Sequence, residues 1–125
     1  MKGSARFKVI GLAAVLGLIF AAKGVMAQDP VQVGPHIYKR VAFENERVRV
    51  CDIEFKPGEK IAMHSHPDHF VYVLSPGKLR LSYPDGTTKE MEAKAGDVVW
   101  VGPESHAGEN IGDTDFKAIV VELKQ

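Results

Sequence analysis

Histidines are concentrated in one short segment of this sequence. Three of its five histidines, His64, His66 and His69, fall within six residues, and a fourth, His106, lies forty residues after His66. Neutral imidazole is a common ligand for Zn, Cu, Fe and Ni ions. The cluster together with His106 therefore predicts a metal site, whereas the isolated His36 is interpreted as an ordinary hydrogen-bonded side chain.

The elements that must position these histidines are short strands. From residue 28 onward no long segment repeats apolar residues at helical spacing, and short β-rich runs are separated by turn signals such as Pro84–Gly86. The runs are residues 36–44, 47–55, 69–74, 78–83, 87–93, 95–101, 106–112 and 115–123. Residues two apart on a strand share a face, so His64 and His66 should point to one side if their segment is extended. The pattern predicts one all-β domain, a sandwich or barrel.

The first 27 residues have the composition of an export signal. Three basic residues precede an apolar run from Val9 to Ala22, and small side chains lead up to Ala27. This order is typical of a secretory signal peptide, and a run of about 14 residues is short for a membrane span of about 20. We predict cleavage before Gln28, with an uncleaved anchor as the alternative. Cleavage would give a periplasmic or secreted domain of residues 28–125 that makes no membrane contact.

The charge of the predicted domain excludes some classes of partner. Four of the sixteen Lys and Arg and none of the sixteen Asp and Glu lie in residues 1–27, so residues 28–125 carry a net charge of −4. A mildly acidic domain without a basic run has no electrostatic footprint for nucleic acid or for anionic membrane surfaces. The single cysteine, Cys51, lies in an apolar strand-like run. It is interpreted as a buried core thiol, with a metal ligand or redox site as the alternative.

Two segments resemble the conserved motifs of the cupin superfamily. "GEKIAMHSHPDHFVYVLSPG" is similar to the first motif, and "GDVVWVGPESHAGEN" is similar to the second. The matching positions are Gly58, His64, His66, Gly96, His106 and Asn110. In the second motif Gly102 replaces a proline, Glu104 replaces a glycine, and the histidine comes one residue early. The resemblance extends from about Val41 to the end of the chain, and it implies a single-domain cupin, a double-stranded β-helix or jelly-roll barrel.

The resemblance also implies a set of metal ligands. The family normally holds one divalent ion with three histidines and one glutamate, and the matching histidines here are His64, His66 and His106. The glutamate position falls on His69 by strand parity or on Phe70 by strict counting, and Asp68 is a further candidate. A site of four neutral histidines would keep more positive charge than the usual one. The candidate ions are Zn, Cu, Ni and Fe, and such a site would shift the preference toward Zn, Cu or Ni and away from Mn. It would also attract an anionic ligand.

Three functions stay open for such a protein. It could be a metal-dependent enzyme, dioxygenase-like or acting through a Lewis acid, with Glu104 as a candidate catalytic base. It could instead be a non-catalytic module that binds a metal or a small ligand, or a structural cupin without metal. Its predicted partners are a small, anionic organic molecule and, as one option, a second copy in a homodimer. Asn110 is expected to fix the turn after His106, and three aromatics are interpreted as core or barrel-wall residues of which at most one lines a pocket: Tyr72, Tyr83 and Trp100.

Overall fold

A computed structural model of the chain describes residues 28–125, and the predicted signal peptide of residues 1–27 lies outside them. The described residues form one short helix and nine strands. These are α1 (Pro30–Val33), β1 (Tyr38–Glu44), β2 (Val48–Phe55), β3 (Lys60–His66), β4 (His69–Ser75), β5 (Gly77–Ser82), β6 (Thr88–Ala93), β7 (Val98–Val101), β8 (Glu104–Asn110) and β9 (Phe116–Leu123). Within this range no helix is long and apolar enough to cross a membrane.

The helix α1 departs from the sequence-based prediction, which has no helix from residue 28 onward. It is only four residues long, so it cannot show the apolar periodicity by which helices are detected. Its start follows local rules, because Pro30 occupies the first turn and the Asp29 carboxylate accepts a hydrogen bond from the Val31 N–H at 2.9 Å. The helix is therefore specified by its cap.

The strands pair into two antiparallel sheets that face each other across the core. The five-stranded sheet has the order β1-β2-β9-β4-β7, and the four-stranded sheet has the order β3-β8-β5-β6. Buried and more exposed residues alternate along β2 and β9, as expected for strands with one face on a core. The predicted all-β jelly-roll class is confirmed. The buried apolar residues are Ile37, Tyr38, Cys51, Ile53, Phe55, Ile61, Val73, Leu79, Ala93, Phe116, Ala118 and Val120.

Two glycines of the sequence motifs form the turns that lead into strands. Gly58 has a φ of 82° just before β3, and Gly96 has a φ of 90° just before β7. Such angles favour glycine because any other side chain would be strained there. The predicted hairpin at Pro84–Gly86 is also present, since β5 and β6 pair in continuous register on either side of it. The turn signals in the sequence were thus interpreted correctly.

Two of the aromatic residues predicted to lie in the core or barrel wall point outward instead. Tyr72 is 41% exposed and Trp100 is 59% exposed. Tyr72 precedes the buried Val73 on β4, so strand alternation places its side chain on the outer face. Although its ring is mostly exposed, Trp100 borders the cavity, and Tyr83 lines it as well, so the expectation of at most one such aromatic was wrong.

The prediction of a buried core thiol is confirmed, because Cys51 is 0% exposed. Burial raises the pKa of its thiol to about 11, from an ordinary value of 9.0. Because the pKa is higher by about two, about 100-fold less thiolate is present at pH 8. The thiolate is the reactive form of cysteine. We therefore expect native protein to react with Ellman's reagent far more slowly than urea-unfolded protein. Equal rates in the two states would contradict this placement of Cys51.

Candidate metal centre

A bulge in β3 turns the first two histidines into the barrel. On β3 and β8, Ile61 lies opposite Gly108 and His64 lies opposite His106, so β3 takes three steps where β8 takes two. Without the extra residue, strict alternation would place His64 on the face opposite to Ile61. With it, Ile61, His64 and His66 are all buried, at no more than 6% exposure.

Four histidine rings meet inside the barrel. The ring centroids of His64 and His106 are 4.8 Å apart, those of His64 and His66 are 4.7 Å apart, and those of His66 and His106 are 5.1 Å apart. One ligand nitrogen from each of these three lies within 4.8 Å of the others, which is close enough to share a metal ion. The ring of His69 stacks on that of His66 at 4.3 Å. It is outside the group of three, so its role as a fourth ligand stays a prediction.

All four histidines use the same ring nitrogen to contact the protein. The Nδ1 atoms of His64 and His69 lie 2.7 Å and 2.9 Å from backbone carbonyls, and those of His66 and His106 lie 2.8 Å and 2.6 Å from carboxylates. The four acceptors are Ala62 O, Pro67 O, Glu122 Oε2 and Glu104 Oε2. Because carbonyl and carboxylate oxygens accept, each Nδ1 donates, and the lone pair of each neutral ring is left on Nε2. This is the arrangement of metal-ligating histidines in proteins.

Burial favours the neutral form of three of these rings, those of His64, His69 and His106. It lowers the pKa of His64 to about 4, against the opposing effect of the backbone hydrogen bond from its ring. Burial also lowers the pKa of His69, and it lowers that of His106 although the Glu104 carboxylate acts in the other direction. A proton and a metal ion compete for the same nitrogen, so neutral rings are ready to coordinate.

A chain of charged side chains extends from the histidine cluster to the start of the domain. Glu122 is 3% exposed, and its Oε2 accepts from His66 at 2.8 Å. Its Oε1 accepts from two nitrogens of the Arg49 guanidinium, at 2.6 Å and 2.8 Å. Arg49 in turn donates two hydrogen bonds, at 2.9 Å and 3.1 Å, to the carboxylate of Asp29. Burial alone would raise the pKa of Glu122, but the bonds from His66 and Arg49 outweigh it and hold that pKa below its usual range. The buried carboxylate is thus ionised and fully paired.

The sequence did not lead us to Glu122 and Arg49, although a signal was present. On β9 the inward positions are Phe116, Ala118, Val120 and Glu122, and on the adjacent β2 they are Phe55, Ile53, Cys51 and Arg49. Glu122 and Arg49 lie directly opposite each other in the register of these two strands. A charged residue at an inward position is rarely buried unless it is paired. The inward residues of β2 and β9 are otherwise apolar, so one positive and one negative residue at the ends of these two strands would have indicated a buried ion pair.

The other candidate residues of the sequence analysis divide into three groups. Strand parity was the correct guide for the fourth histidine, because His69 is buried while Phe70 pairs with Trp100 on the outer face. Asp68 does not line the cavity, and its backbone carbonyl accepts from the Leu123 N–H. Glu104 lines the cavity, but its Oε2 is bonded to Nδ1 of His106, so it orients that ring.

His36 and Asn110 have the structural roles expected of them. The Nε2 atom of His36 lies 2.6 Å from the carbonyl oxygen of Lys60, away from the cluster. The Asn110 amide donates to Phe55 O and Thr114 O and accepts from the Gly112 N–H, so it fixes the turn after β8. Neither residue lines the cavity.

The histidine cluster lines a cavity of about 290 Å³ between the two sheets. Its exposed lining residues include Lys89 on β6 and Trp100 on β7. These strands are the free edges of the four-stranded and the five-stranded sheet, and they do not pair with each other. The opposite edge, at β3, is covered by α1. The cavity therefore opens between β6 and β7, and a small molecule could reach the histidines by that route.

Comparisons with known proteins agree with this geometry. Residues 51–122, more than half of the chain, match the sequence profile of the family described as "Cupin domain". A solved cupin domain from Bordetella pertussis is 30% identical with a TM-score of 0.64, over 69% of this chain and 91% of that one. No curated protein is detectably similar.

Two further solved structures are also similar. A protein with a double-stranded β-helix domain from Klebsiella pneumoniae is 27% identical with a TM-score of 0.54, over 68% of this chain and 81% of that one. A predicted oxalate decarboxylase from Thermotoga maritima is 27% identical with a TM-score of 0.50, over 65% of this chain and 70% of that one.

Proposed function

Since the chain belongs to the cupin family, we propose that it binds one divalent transition metal through His64, His66 and His106 and presents it to a small molecule in the barrel cavity. The observation that carries the proposal is the common orientation of the rings, whose Nδ1 atoms are all held by the protein while three ligand nitrogens lie within 4.8 Å. Imidazole nitrogen suits Zn, Cu, Ni and Fe. Such an ion, when bound, would act as a Lewis acid.

Residues of this chain would define what happens around the ion. Glu122 and Glu104 hold the rings of His66 and His106, so two ligands are fixed before any metal arrives. Backbone carbonyls hold the other two rings in the same way. The surrounding barrel walls limit the access of bulk water to the opening between β6 and β7. The site is thus preorganised for a metal and for one small ligand.

The metal proposal is tested by elemental analysis of untagged protein comprising residues 28–125. We expect about one equivalent of a transition metal per chain, its loss in the His64→Ala/His106→Ala double variant, and retention in His36→Ala, which removes a histidine outside the cluster. Metal-free protein that shows no thermal shift with Zn, Cu, Ni or Fe(II) would contradict the proposal. That result would indicate a structural cupin that binds no metal.

Catalysis is a second candidate, favoured by the name of the Thermotoga maritima relative, a predicted oxalate decarboxylase. Among the described residues that line the cavity, Glu104 is the one carboxylate, and its Oε1 has no hydrogen bond to His106. That oxygen is the group through which a proton could be taken up. Product formation from oxalate, and O₂ uptake with diketones, thiols and catechols, would separate an enzyme from a binding protein.

Replacing His69 tests whether the site has four ligands. If the His69 ring supplies a fourth nitrogen, His69→Ala should lower zinc affinity at least about tenfold, because even residues behind the ligands contribute that much. The loss in His64→Ala should be larger, since that ring belongs to the central group of three. Chelator competition measures both, with His36→Ala as the matched control. Wild-type affinity in His69→Ala would show that its ring only stacks on His66.

We also propose that the domain is exported and acquires its metal outside the cytoplasm, as a signal peptide in residues 1–27 implies. Expression of the full chain in a bacterium, followed by fractionation and intact-mass measurement, tests this. The expected product begins at Gln28 and is found in the periplasm or medium. A cytoplasmic product that retains residues 1–27 would contradict it.

A further inference from the structure

We infer that the cavity takes a small and largely apolar molecule with a single anionic oxygen-donor head group, such as one carboxylate or enolate. The inference deepens the proposed function and rests on it, because the head group is taken to bind the metal held by the histidines. Three features of the described residues support it: the walls of the cavity, the state of its polar atoms, and the balance of charge around the histidines.

The walls of the cavity away from the histidines are apolar. They are formed by inward side chains of both sheets, chiefly Phe55, Ile61, Val71, Leu81, Met91 and Val99. A volume of about 290 Å³ lies at the lower end of the range for small-molecule pockets. Apolar groups of a ligand would gain free energy in this space by leaving water. The body of the ligand is therefore small and apolar.

The interior offers little to a second polar group. Among the described residues, every side-chain nitrogen or oxygen that is fully shielded from solvent already has a hydrogen-bond partner. The one Lys or Arg that lines the cavity is Lys89, which is exposed at the opening, and an ion pair in water contributes little. A second carboxylate on the ligand would lose its hydration inside the barrel and would gain only neutral donors such as the hydroxyls of Tyr38 and Tyr83, which is unfavourable for a charged group.

The charges around the histidines balance with one monoanion. A divalent ion on neutral imidazoles brings a charge of +2, and the Glu104 carboxylate, bonded to His106, brings −1. Glu122 is also negative, but its partner Arg49 cancels it, and the Asp29 carboxylate on the far side of Arg49 is 35% exposed, so water screens its charge from the histidines. The remaining charge of +1 matches a single carboxylate or enolate. A dianion such as oxalate would leave excess negative charge in a poorly hydrated site.

The test uses zinc-loaded protein of residues 28–125 and a series of carboxylates measured by isothermal titration calorimetry. Acetate, butyrate and hexanoate share one head group and differ in the apolar tail, while oxalate and succinate carry two carboxylates. We expect affinity to rise about fourfold for each methylene that enters the cavity. Hexanoate should then bind at least about tenfold more tightly than either dianion.

Two variants that each add one methyl group locate the tail in the cavity. A Cβ added at Gly108 would point among Ile61, Phe55 and Leu81 at 3.4 to 3.8 Å, so alanine fits there without strain and fills part of the cavity. Val98→Ile adds its methyl group at a position that is 64% exposed and does not line the cavity. Gly108→Ala should weaken hexanoate about fourfold and leave acetate and zinc unchanged, whereas Val98→Ile should change none of them.

The possible outcomes separate this inference from the proposed function. If zinc itself does not bind, the proposed function fails and this inference falls with it. If zinc binds but affinity is independent of tail length, or oxalate equals hexanoate, only the inference is overturned. A tail effect that Gly108→Ala does not change would place the tail outside the cavity and would also overturn it.

Discussion

Replacing Glu122 by alanine should weaken metal binding about 10- to 100-fold and reduce the free energy of unfolding by about 3–5 kcal/mol. The first effect is expected because the Glu122 carboxylate fixes the His66 ring through a 2.8 Å bond to Nδ1. The second is expected because Arg49, whose side chain is 16% exposed, would lose the partner that lies 2.6 Å from it. Asp29, at the other end of the guanidinium, is itself more exposed and compensates only in part.

Three measurements separate the positioning of His66 from a general loss of stability. Glu122→Gln keeps the shape of the side chain, but its one carbonyl oxygen can accept from His66 or from Arg49 and not from both. Its zinc affinity should therefore fall, and the EPR spectrum of a Cu(II)-loaded sample should change, in protein that is still folded. Glu90→Ala removes an exposed pair with Lys78 and should cost less than about 1 kcal/mol. If Glu122→Gln is less stable but keeps wild-type metal affinity and spectrum, Glu122 is structural only.

The sequence was sufficient for the class of the fold and for the members of the histidine cluster. Strand alternation, the hairpin at Pro84–Gly86 and the two motifs all depend on local pattern, and local pattern is preserved in the structure. The same alternation chose His69 over Phe70 as the inward residue, and the structure agrees. These predictions succeeded because a period of two residues determines which side of a strand a residue occupies.

Long-range features could not be predicted in the same way. The bulge between Ile61 and His64 is visible only when β3 is aligned with β8, where the partners Gly108 and His106 lie 47 and 42 positions further along the chain. The bond between His66 and Glu122 joins residues that are 56 positions apart, on different sheets. Trp100 was interpreted as a core or barrel-wall aromatic, yet it is 59% exposed and pairs with Phe70 on the outer face. In each case the pairing of strands, which one sequence does not state, decides the outcome.

Asn110→Ala is the second substitution with a large expected effect, and it should act on stability without changing the metal site. Asn110 is 1% exposed, and its amide joins the end of β2, at Phe55 O, to the loop between β8 and β9, at Thr114 O and Gly112 N. Alanine would leave these three backbone groups without their partner, and each orphaned buried group costs about 1–3 kcal/mol. We expect a total loss of at least about 3 kcal/mol.

Thermal unfolding followed by circular dichroism measures this loss, which for a domain of this size corresponds to a fall in Tm of at least about 10 °C. Asn45→Ala is the matched control, because the exposed Asn45 side chain also accepts from backbone N–H groups, those of Arg47 and Val48, but in contact with water. It should cost no more than about 1 kcal/mol. Zinc affinity should stay at the wild-type value in both variants, since neither side chain contacts the histidines. An Asn110→Ala protein as stable as Asn45→Ala would mean that water can replace the buried amide, and a fall in zinc affinity would mean that the turn after β8 positions His106.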